Sequence, residues 1–265
     1  MSSNYLNINR NLWDKKTEIH FDSDFYDVNS FKKGKDSLNP IEIELLGDIR
    51  GKTILHLQCH FGQDTISLAR LGAQATGVDF STKAIEKAIK LSEEMGSSAK
   101  FIVSDIYELP RHLDEHFTIV FTSYGVFAWL PDLKKWGEII NHFVKPGGVF
   151  VMAEFHPIVW MFDSEFKNIE FKYIDAEPIF EEEECTYADK TANIKEASVF
   201  WNHGISTVLK SILKTGLEIT DFNEYDYSPY DCFENTVLKE KRKYQIRGLE
   251  EKIPMVISLK AKKPR

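Results

Sequence analysis

The fold is decided by residues 53–79, which read TILHLQCHFGQDTISLARLGAQATGVD. Residues 53–58 have the apolar character of a strand that is covered on both faces, and residues 63–71 have apolar side chains at helical spacing before a stop glycine. Residues 74–79 form a second apolar strand that ends in Asp79. A carboxylate at this tip, about 20 residues past a glycine turn, is placed to accept hydrogen bonds from ribose hydroxyls. The unit therefore predicts a nucleoside-binding site.

The turn between the first strand and the helix is poor in glycine. Dinucleotide-binding turns need Gly at several points, because the backbone must approach a pyrophosphate closely. Here Gln58 and His60 occupy the first two positions of a Gly-x-Gly-x-Gly pattern, and only Gly62 remains. Histidine adopts left-handed backbone more readily than most residues, so the turn can survive the loss of glycine. Two bulky side chains argue against a pyrophosphate and are compatible with a ligand that has an amino-acid tail, such as S-adenosylmethionine.

Five short motifs follow in order: ILHLQCHFG at 54–62, VDFS at 78–81, VSDI at 103–106, FTIVFTS at 117–123 and VKPGGVFVMAE at 144–154. In this order they resemble the class I S-adenosylmethionine-dependent methyltransferases, over roughly residues 40–155 plus the C-terminal strands. The run HLQCHFGQDT at 56–65 is similar to a bacterial subgroup of uncharacterised small-molecule methyltransferases. The chain departs from the family at His56, where an acidic residue is usual, and at Gln58 and His60, where Gly is usual.

We predict a helix at 40–46 and, after the first unit, a strand at 117–123, and the insertion carries short β-like stretches near 169–174, 178–187 and 194–201. Strands that alternate with helices imply a parallel sheet. The resemblance implies an α/β fold with a Rossmann-like, doubly wound sheet of seven strands, in the order 3-2-1-4-5-7-6, whose last strand is antiparallel. We divide the chain into an N-terminal cover segment at 1–39, a cofactor-binding core at 40–156, a substrate-side insertion at 157–204 and the C-terminal part of the core at 205–265. The cover segment shows no clean period of 2 or 3.6, and we predict that it folds over the core.

The resemblance also implies a set of cofactor-binding residues. Asp79 would accept hydrogen bonds from the ribose diol, and Asp105 would accept one from the adenine amino group, with Ile106 packed on the ring. Gly62 would let the chain pass beneath the methionyl part, although a strand-to-helix turn explains it as well. The other predicted contacts to the cofactor are Gln58, His60, Asp64, Thr65, Phe80, Ser81, Ser123 and Tyr124. Asp64 and Thr65 could equally begin their helix, and Ser81 could cap the next one.

The acceptor side is predicted from residues after the fifth strand and from aromatic side chains. His156 and His203 are candidates to orient or deprotonate an acceptor hydroxyl, thiol or amine, and the alternative is a histidine satisfied by the loop around it. Glu154 lies at the carboxyl end of the same strand. Trp160 is a further candidate for the acceptor pocket. Aromatic faces favour cations, so four side chains could wall the sulfonium and an apolar acceptor, with core packing as the alternative: Trp13, Tyr26, Phe127 and Trp129.

The length, net charge and cysteine content of the chain restrict the possible classes of function. At 265 residues the chain can bury a full core, and the net charge of -8 opposes a nucleic-acid substrate, because phosphate binding needs clustered Lys and Arg. The cysteines, 3 in number and widely spaced, favour reduced thiols over a disulfide framework or a zinc site. Neither a signal peptide nor an apolar membrane stretch is seen. We expect a cytoplasmic monomer or homodimer without a metal, a nucleic-acid partner or a membrane partner.

Three functions remain open at this level. The first is S-adenosylmethionine-dependent methyl transfer to a small-molecule acceptor with an O, S or N nucleophile. The second is a nicotinamide-dependent oxidoreductase, which needs the pyrophosphate room that Gln58 and His60 remove. The third is a nucleoside-binding protein without catalysis, which no sequence feature excludes.

Overall fold

A seven-stranded sheet forms the centre of the computed structural model, which describes residues 4–265 apart from the side chains of Asp175 and Ala176. The strands along the chain are β1 Thr53–Leu57, β2 Gln74–Asp79, β3 Lys100–Val103, β4 Phe117–Ser123, β5 Val144–Phe155, β6 Asp175–Glu183, β7 Glu196–Asn202, β8 Glu218–Tyr225, β9 Thr236–Glu240, β10 Lys243–Ile246 and β11 Val256–Lys262. The described helices are α1 Tyr5–Asp22, α2 Val28–Lys32, α3 Pro40–Leu46, α4 Gln63–Arg70, α5 Thr82–Glu94, α6 Leu133–Phe143 and α7 Ile205–Leu213.

The order in the central sheet is β3-β2-β1-β4-β5-β11-β8. The first five strands are parallel, and β11 lies between β5 and β8, antiparallel to both. Because β8 and β11 are the sixth and seventh strands of the sheet in chain order, the predicted order and the antiparallel last strand are confirmed. The remaining strands form two antiparallel pairs, β6 with β7 and β9 with β10.

Both faces of the sheet are covered, which explains the almost continuous apolar runs of its strands. Successive residues of β1 point to opposite faces. Leu55 and Leu57 belong to the cluster that includes α6 and α7, and Ile54 belongs to the cluster that includes α3 and α4. Because β1 to β5 are parallel, their carboxyl ends meet at one edge of the sheet, where open α/β sheets bind ligands.

Three segments differ from the sequence prediction. Residues 5–22 of the cover segment form an 18-residue helix, although no helical period was found there. Within the insertion, β6 and β7 correspond to two predicted β-like stretches, but the stretch predicted at 169–174 is not a strand. The β9–β10 hairpin between β8 and β11 was not predicted. Over residues 4–265, none of the helices is long and apolar enough to cross a membrane.

Candidate functional site

The turn after β1 keeps a glycine-like backbone without the glycines. Gln58 has φ of 55° and His60 has φ of 49°, both in the left-handed region that side chains disfavour. The backbone N–H of His60 donates to Asp79 Oδ2 at 2.8 Å, which fixes this conformation from the neighbouring strand. Strained backbone that is held in this way is concentrated at functional sites.

Packing explains the glycine at position 62. Its φ is 77°, and a Cβ there would lie 2.7 Å from Phe101 Cζ and 3.1 Å from Ala88 Cβ. A larger residue would therefore collide with these two side chains. Gly62 is also the N-cap of α4, as the alternative of a strand-to-helix turn has it, and its passage beneath a cofactor stays a prediction.

Asp79 ends β2 with its carboxylate turned toward the turn. Its Oδ2 accepts from His60 N, and its Oδ1 accepts from Ser81 N at 2.9 Å. Burial raises the pKa of Asp79 to about 6, although these N–H groups stabilise the charged form. Each carboxylate oxygen still has an accepting lone pair, so Asp79 can hold a diol while it holds the turn.

Helix α1 lies over the ends of β1 and β2. Arg10 Nε donates to the carbonyl of Phe80 at 3.2 Å, and Ser81 Oγ donates to Asp14 at 2.5 Å. The Trp13 ring lies 5.3 Å from the ring of His60. Ser81 also caps α5 by accepting from Ala84 N. The predicted contacts Phe80 and Ser81 are thus used to dock α1 and to begin α5.

Three buried polar atoms near His60 have no partner among the described residues: Trp13 Nε1, His20 Nε2 and Gln58 Oε1. The rest of each side chain is fixed: Gln58 Nε2 donates to the carbonyl of Val126 at 3.1 Å, and His20 Nδ1 lies 3.1 Å from His60 Nε2. Buried polar atoms are nearly always hydrogen-bonded in native proteins. One donor, one acceptor and one imidazole nitrogen at this turn are therefore open to a further hydrogen-bond partner.

The imidazoles of His20 and His60 are both held neutral. Burial lowers the pKa of His20 from 6.5 to about 2, with further lowering by His60 and Lys16, and burial lowers the pKa of His60 to about 3. Neutral rings allow one nitrogen to donate to the other across their 3.1 Å contact. This bond ties α1 to the β1–α4 turn.

The His20 site should make stability depend on pH. Below pH 6.5 the unfolded chain binds a proton at His20. The folded chain, in which the pKa of His20 is lowered, does not bind it, so the free energy of unfolding decreases as the pH is lowered. The buried carboxyls titrate with the opposite sign, so only a difference between two proteins isolates the histidine. We expect the stability advantage of wild type over His20→Gln to shrink by about 2 kcal/mol between pH 6.5 and 5, measured by urea denaturation. The variant of exposed His112, His112→Gln, is the control, and parallel curves for His20→Gln would contradict the assignment.

The adenine side is built from the end of β3. Asp105 is partly buried, and its Oδ1 accepts from Tyr107 N at 2.6 Å, as in a turn-forming aspartate. Burial raises its pKa. Ile106 is buried in the apolar cluster beside α6. One carboxylate oxygen of Asp105 is thus committed to its turn.

A polar chain runs across the start of α4. His56 Nδ1 lies 2.9 Å from Thr65 Oγ1, and His56 Nε2 lies 3.4 Å from Ser123 Oγ, which donates to Asp64 Oδ2 at 3.3 Å. Thr65 is fully buried against the sheet, and its contact with the cofactor stays a prediction. Burial lowers the pKa of His56 to about 3 and keeps it neutral where the family usually has an acid.

Glu154 organises the loop after β4 instead of facing an acceptor. Its carboxylate accepts from the backbone N–H groups of Gly125, Val126, Phe127 and Phe155, including 2.7 Å contacts to Val126 and Phe155. Burial raises its pKa to about 7 in spite of these donors. Glu154, which was predicted to contact the substrate, therefore binds the backbone of residues 125–127, the segment that follows Ser123 and Tyr124.

The two predicted catalytic histidines are both engaged structurally. His156 Nδ1 accepts from Ile158 N at 3.0 Å, and its Nε2 lies 3.0 Å from Glu224 of β8, at the sheet edge opposite β3. His203 Nε2 lies 2.7 Å from the carbonyl of Leu130, as in the alternative of a histidine satisfied by its loop. A base needs a free lone pair, and the geometry of His156 leaves none.

We expect His156 to couple to Glu224 in folding. His156→Ala should lower the free energy of unfolding by about 1 to 2 kcal/mol, because it removes a cap and a buried hydrogen bond. The part of this loss that comes from Glu224 should disappear in the background of Glu224→Ala, which has no acceptor for His156 Nε2, measured by urea denaturation of the four proteins in a double-mutant cycle. Additive losses would show that the pair is not coupled.

The predicted aromatic residues lie in three places. Trp13 and Trp129 pack together at 5.4 Å beside the turn. Trp160 packs on Phe155 and Phe233 in an apolar cluster, which corresponds to the alternative of core packing. Tyr26 joins a cluster with Tyr187, whose hydroxyl lies 2.6 Å from its own. No local pattern marks Tyr187, Glu42, Tyr230 or His20, because their neighbours in the structure come from distant segments of the chain.

Comparisons with known proteins bear on the family and on the fold. Residues 49–202 match the family model described as a methyltransferase domain. An uncharacterised methyltransferase of Synechocystis is 30% identical over 131 residues, 49% of this chain and 59% of that protein. A ubiquinone biosynthesis O-methyltransferase of Nitrosospira multiformis is 28% identical over 127 residues, 47% of this chain and 53% of that protein. The chain thus spans little more than half the length of these curated relatives.

The fold has solved counterparts. A crystal structure of an S-adenosylmethionine-dependent methyltransferase from Mesorhizobium loti superposes with a TM-score of 0.58 at 17% identity, covering 88% of this chain and 100% of that one. At this identity the likeness concerns the fold.

Proposed function

This chain belongs to the methyltransferase domain family, and on that premise we propose that it transfers a methyl group from S-adenosylmethionine to a small-molecule acceptor. The observation that carries the proposal is the carboxylate of Asp79. It holds the β1–α4 turn through His60 N and keeps the accepting capacity that a ribose diol needs.

The unpaired atoms at the turn fit the amino-acid end of S-adenosylmethionine. That end carries an ammonium and a carboxylate. Gln58 Oε1 is an acceptor and Trp13 Nε1 a donor, and both are buried without a partner among residues 4–265. Because an unpaired buried polar atom costs free energy, a ligand that complements both atoms is favoured.

Other residues would hold the nucleoside. Asp79 would accept from the ribose hydroxyls. Asp105 would accept from the adenine amino group, with Ile106 packed against the ring. The backbone at Ser123 and Tyr124, fixed from behind by Glu154, would line the methyl-donor side. Asp64 lies in the first turn of α4, accepts from Ser123 and would face the acceptor there.

S-adenosylmethionine, when bound, supplies a methyl group on a positively charged sulfur, which a nucleophile displaces in line. The residues of the chain position the reactants and exclude water. Helix α1 covers the turn, and the Lys16 ammonium already lies over the rings of Trp13 and Trp129, at 5.5 and 5.7 Å from their centroids. A general base is not required for every nucleophile, and neither His156 nor His203 is proposed as one.

The net charge of the chain and the name of one of its relatives support a small-molecule acceptor. The net charge of -8 opposes a nucleic acid. The Nitrosospira relative is named for O-methylation in the biosynthesis of ubiquinone, which is a small molecule. The oxidoreductase alternative needs backbone room for a pyrophosphate, and Gln58 and His60 take up that room.

Calorimetry tests the cofactor directly. We expect S-adenosylmethionine and S-adenosylhomocysteine to bind with Kd values on the order of micromolar, and nicotinamide dinucleotides to give no heat. Heat with a dinucleotide and none with either sulfur compound would overturn the proposal. Screening thiols, phenols and amines for formation of S-adenosylhomocysteine then distinguishes an enzyme from a nucleoside-binding protein without turnover.

A further inference from the structure

Four tyrosines from four segments of the chain meet beside the β1–α4 turn, and we call them the tyrosine cluster: Tyr26, Tyr124, Tyr187 and Tyr230. The hydroxyls of Tyr26 and Tyr187 are 2.6 Å apart, and the rings of Tyr124 and Tyr230 are 5.2 Å apart. The Phe25 ring joins the two pairs, at 5.4 Å from Tyr187 and 5.9 Å from Tyr230. The cover segment, β4, the insertion and the segment after β8 thus converge on one place.

Two carboxyl groups lie against this cluster. Glu42 is fully buried; its Oε1 accepts from the backbone and side chain of Asn39, and its Oε2 accepts from Tyr124 Oη at 3.0 Å. Asp64 accepts from Ser123. Burial raises the pKa of both groups, that of Glu42 to about 7, and each is close enough to the tyrosines to raise the pKa of Tyr124 and Tyr230.

These acids lack a cation in contact. Within the described residues, neither Glu42 nor Asp64 has a Lys or Arg nitrogen within 4.0 Å. The charge of Arg242 acts on Asp64 from a distance, since its guanidinium donates to the carbonyls of Leu38 and Asp36 and to Asn39. Buried carboxylates are costly unless they are paired with a positive charge or hold a proton.

An independent observation points to a ligand at the same place. His20 is fully buried, its ring lies 4.8 Å from Tyr187 and is stacked 5.3 Å from Tyr26, and its Nε2 has no partner among residues 4–265. The cluster also adjoins the cofactor turn, because the Tyr26 ring is 5.6 Å from His60 and the Tyr26 carbonyl accepts from Gln63.

We propose that the tyrosine cluster is the acceptor site and that the acceptor carries a positively charged amine, held by Glu42 and Asp64 and faced by the tyrosine rings. This inference rests on the proposed methyl transfer. Carboxylates form strong charge-assisted hydrogen bonds with an ammonium, and aromatic faces add attraction in a desolvated site. The unpaired nitrogen of His20 completes the polar contacts of the acceptor.

The test uses the full chain saturated with S-adenosylhomocysteine and three probes of similar shape: benzylamine, benzyl alcohol and benzoate. We expect calorimetry to show benzylamine binding about tenfold or more tightly than benzyl alcohol, with benzoate weakest. At pH 7, benzylamine should also release protons, seen as a dependence of the heat on the ionisation enthalpy of the buffer, because an ammonium favours the charged form of Glu42.

Glu42→Gln should weaken benzylamine binding by about tenfold while S-adenosylhomocysteine still binds, and the exposed neighbour variant Glu44→Gln should bind both as wild type does. The proton-release measurement needs no variant, so it stands if Glu42→Gln does not fold. Benzoate or benzyl alcohol binding as tightly as benzylamine, or no benzylamine binding to a protein that binds S-adenosylhomocysteine, would overturn the inference alone. Failure to bind S-adenosylhomocysteine would overturn the proposed function.

Discussion

Replacing Asp79 with Ala is expected to weaken S-adenosylhomocysteine binding by about 1.5 to 3 kcal/mol, roughly 10- to 150-fold. The variant removes the acceptor of the ribose diol. It also removes the hydrogen bonds that hold His60 N and Ser81 N, so the left-handed backbone at His60 loses its support. Both effects lower the affinity for S-adenosylhomocysteine, which calorimetry measures.

Asp79→Asn separates the two effects. The amide oxygen can still accept one backbone N–H, so the turn should be better preserved than in Asp79→Ala, while a charged acceptor for the diol is lost. We expect an intermediate affinity. Unchanged S-adenosylhomocysteine binding in Asp79→Ala, with the fold intact by circular dichroism, would remove Asp79 from the site.

Replacing Glu154 with Ala should lower the free energy of unfolding by about 3 kcal/mol or more, because it leaves several buried backbone N–H groups without an acceptor. Urea denaturation measures the loss as a shift of the midpoint. The cofactor affinity should fall too, since the loop at 125–127 adjoins Ser123 and Tyr124.

Glu154→Gln is the matched variant. It keeps one accepting oxygen and presents an NH2 group to the remaining N–H donors, so we expect a loss between those of wild type and Glu154→Ala. Glu218→Gln, at an exposed position of β8, should change stability little. A loss below about 1 kcal/mol in Glu154→Ala would mean that water replaces the carboxylate.

The sheet was predictable because its strands are buried on both faces. Predicted strands at 74–79 and 117–123 coincide with β2 and β4, and the predicted helix at 40–46 coincides with α3. Runs of apolar residues with glycine stops give strong local signals. The family motifs then supplied the strand order, which local patterns do not contain.

Helix α1 was missed for a physical reason. Its buried residues include the polar side chains of Asn9, Lys16, Thr17 and His20, because the helix covers a polar site and not an apolar core. A helix with a polar inner face has no hydrophobic period to detect. The same reason explains why His20 was not predicted as a site residue.

Side-chain directions at the candidate site were also not predictable from local sequence. His156 was predicted from its position at the end of β5, but the pairing of β11 and β8 along that edge brings Glu224 to its ring. Thr65 follows the turn in sequence, yet the start of α4 rotates it toward His56. Chain position indicates the correct edge of a sheet, whereas side-chain direction depends on packing between distant segments.

One helix joins both ligand regions. Besides covering the cofactor turn, α1 exchanges two hydrogen bonds with the insertion, from Asn9 Nδ2 to the carbonyl of Val199 at 2.7 Å and from Val199 N to Asn9 Oδ1 at 2.9 Å. Because a helix moves as one body, a change that displaces α1 at the insertion also displaces Trp13 and His20 at the cofactor turn.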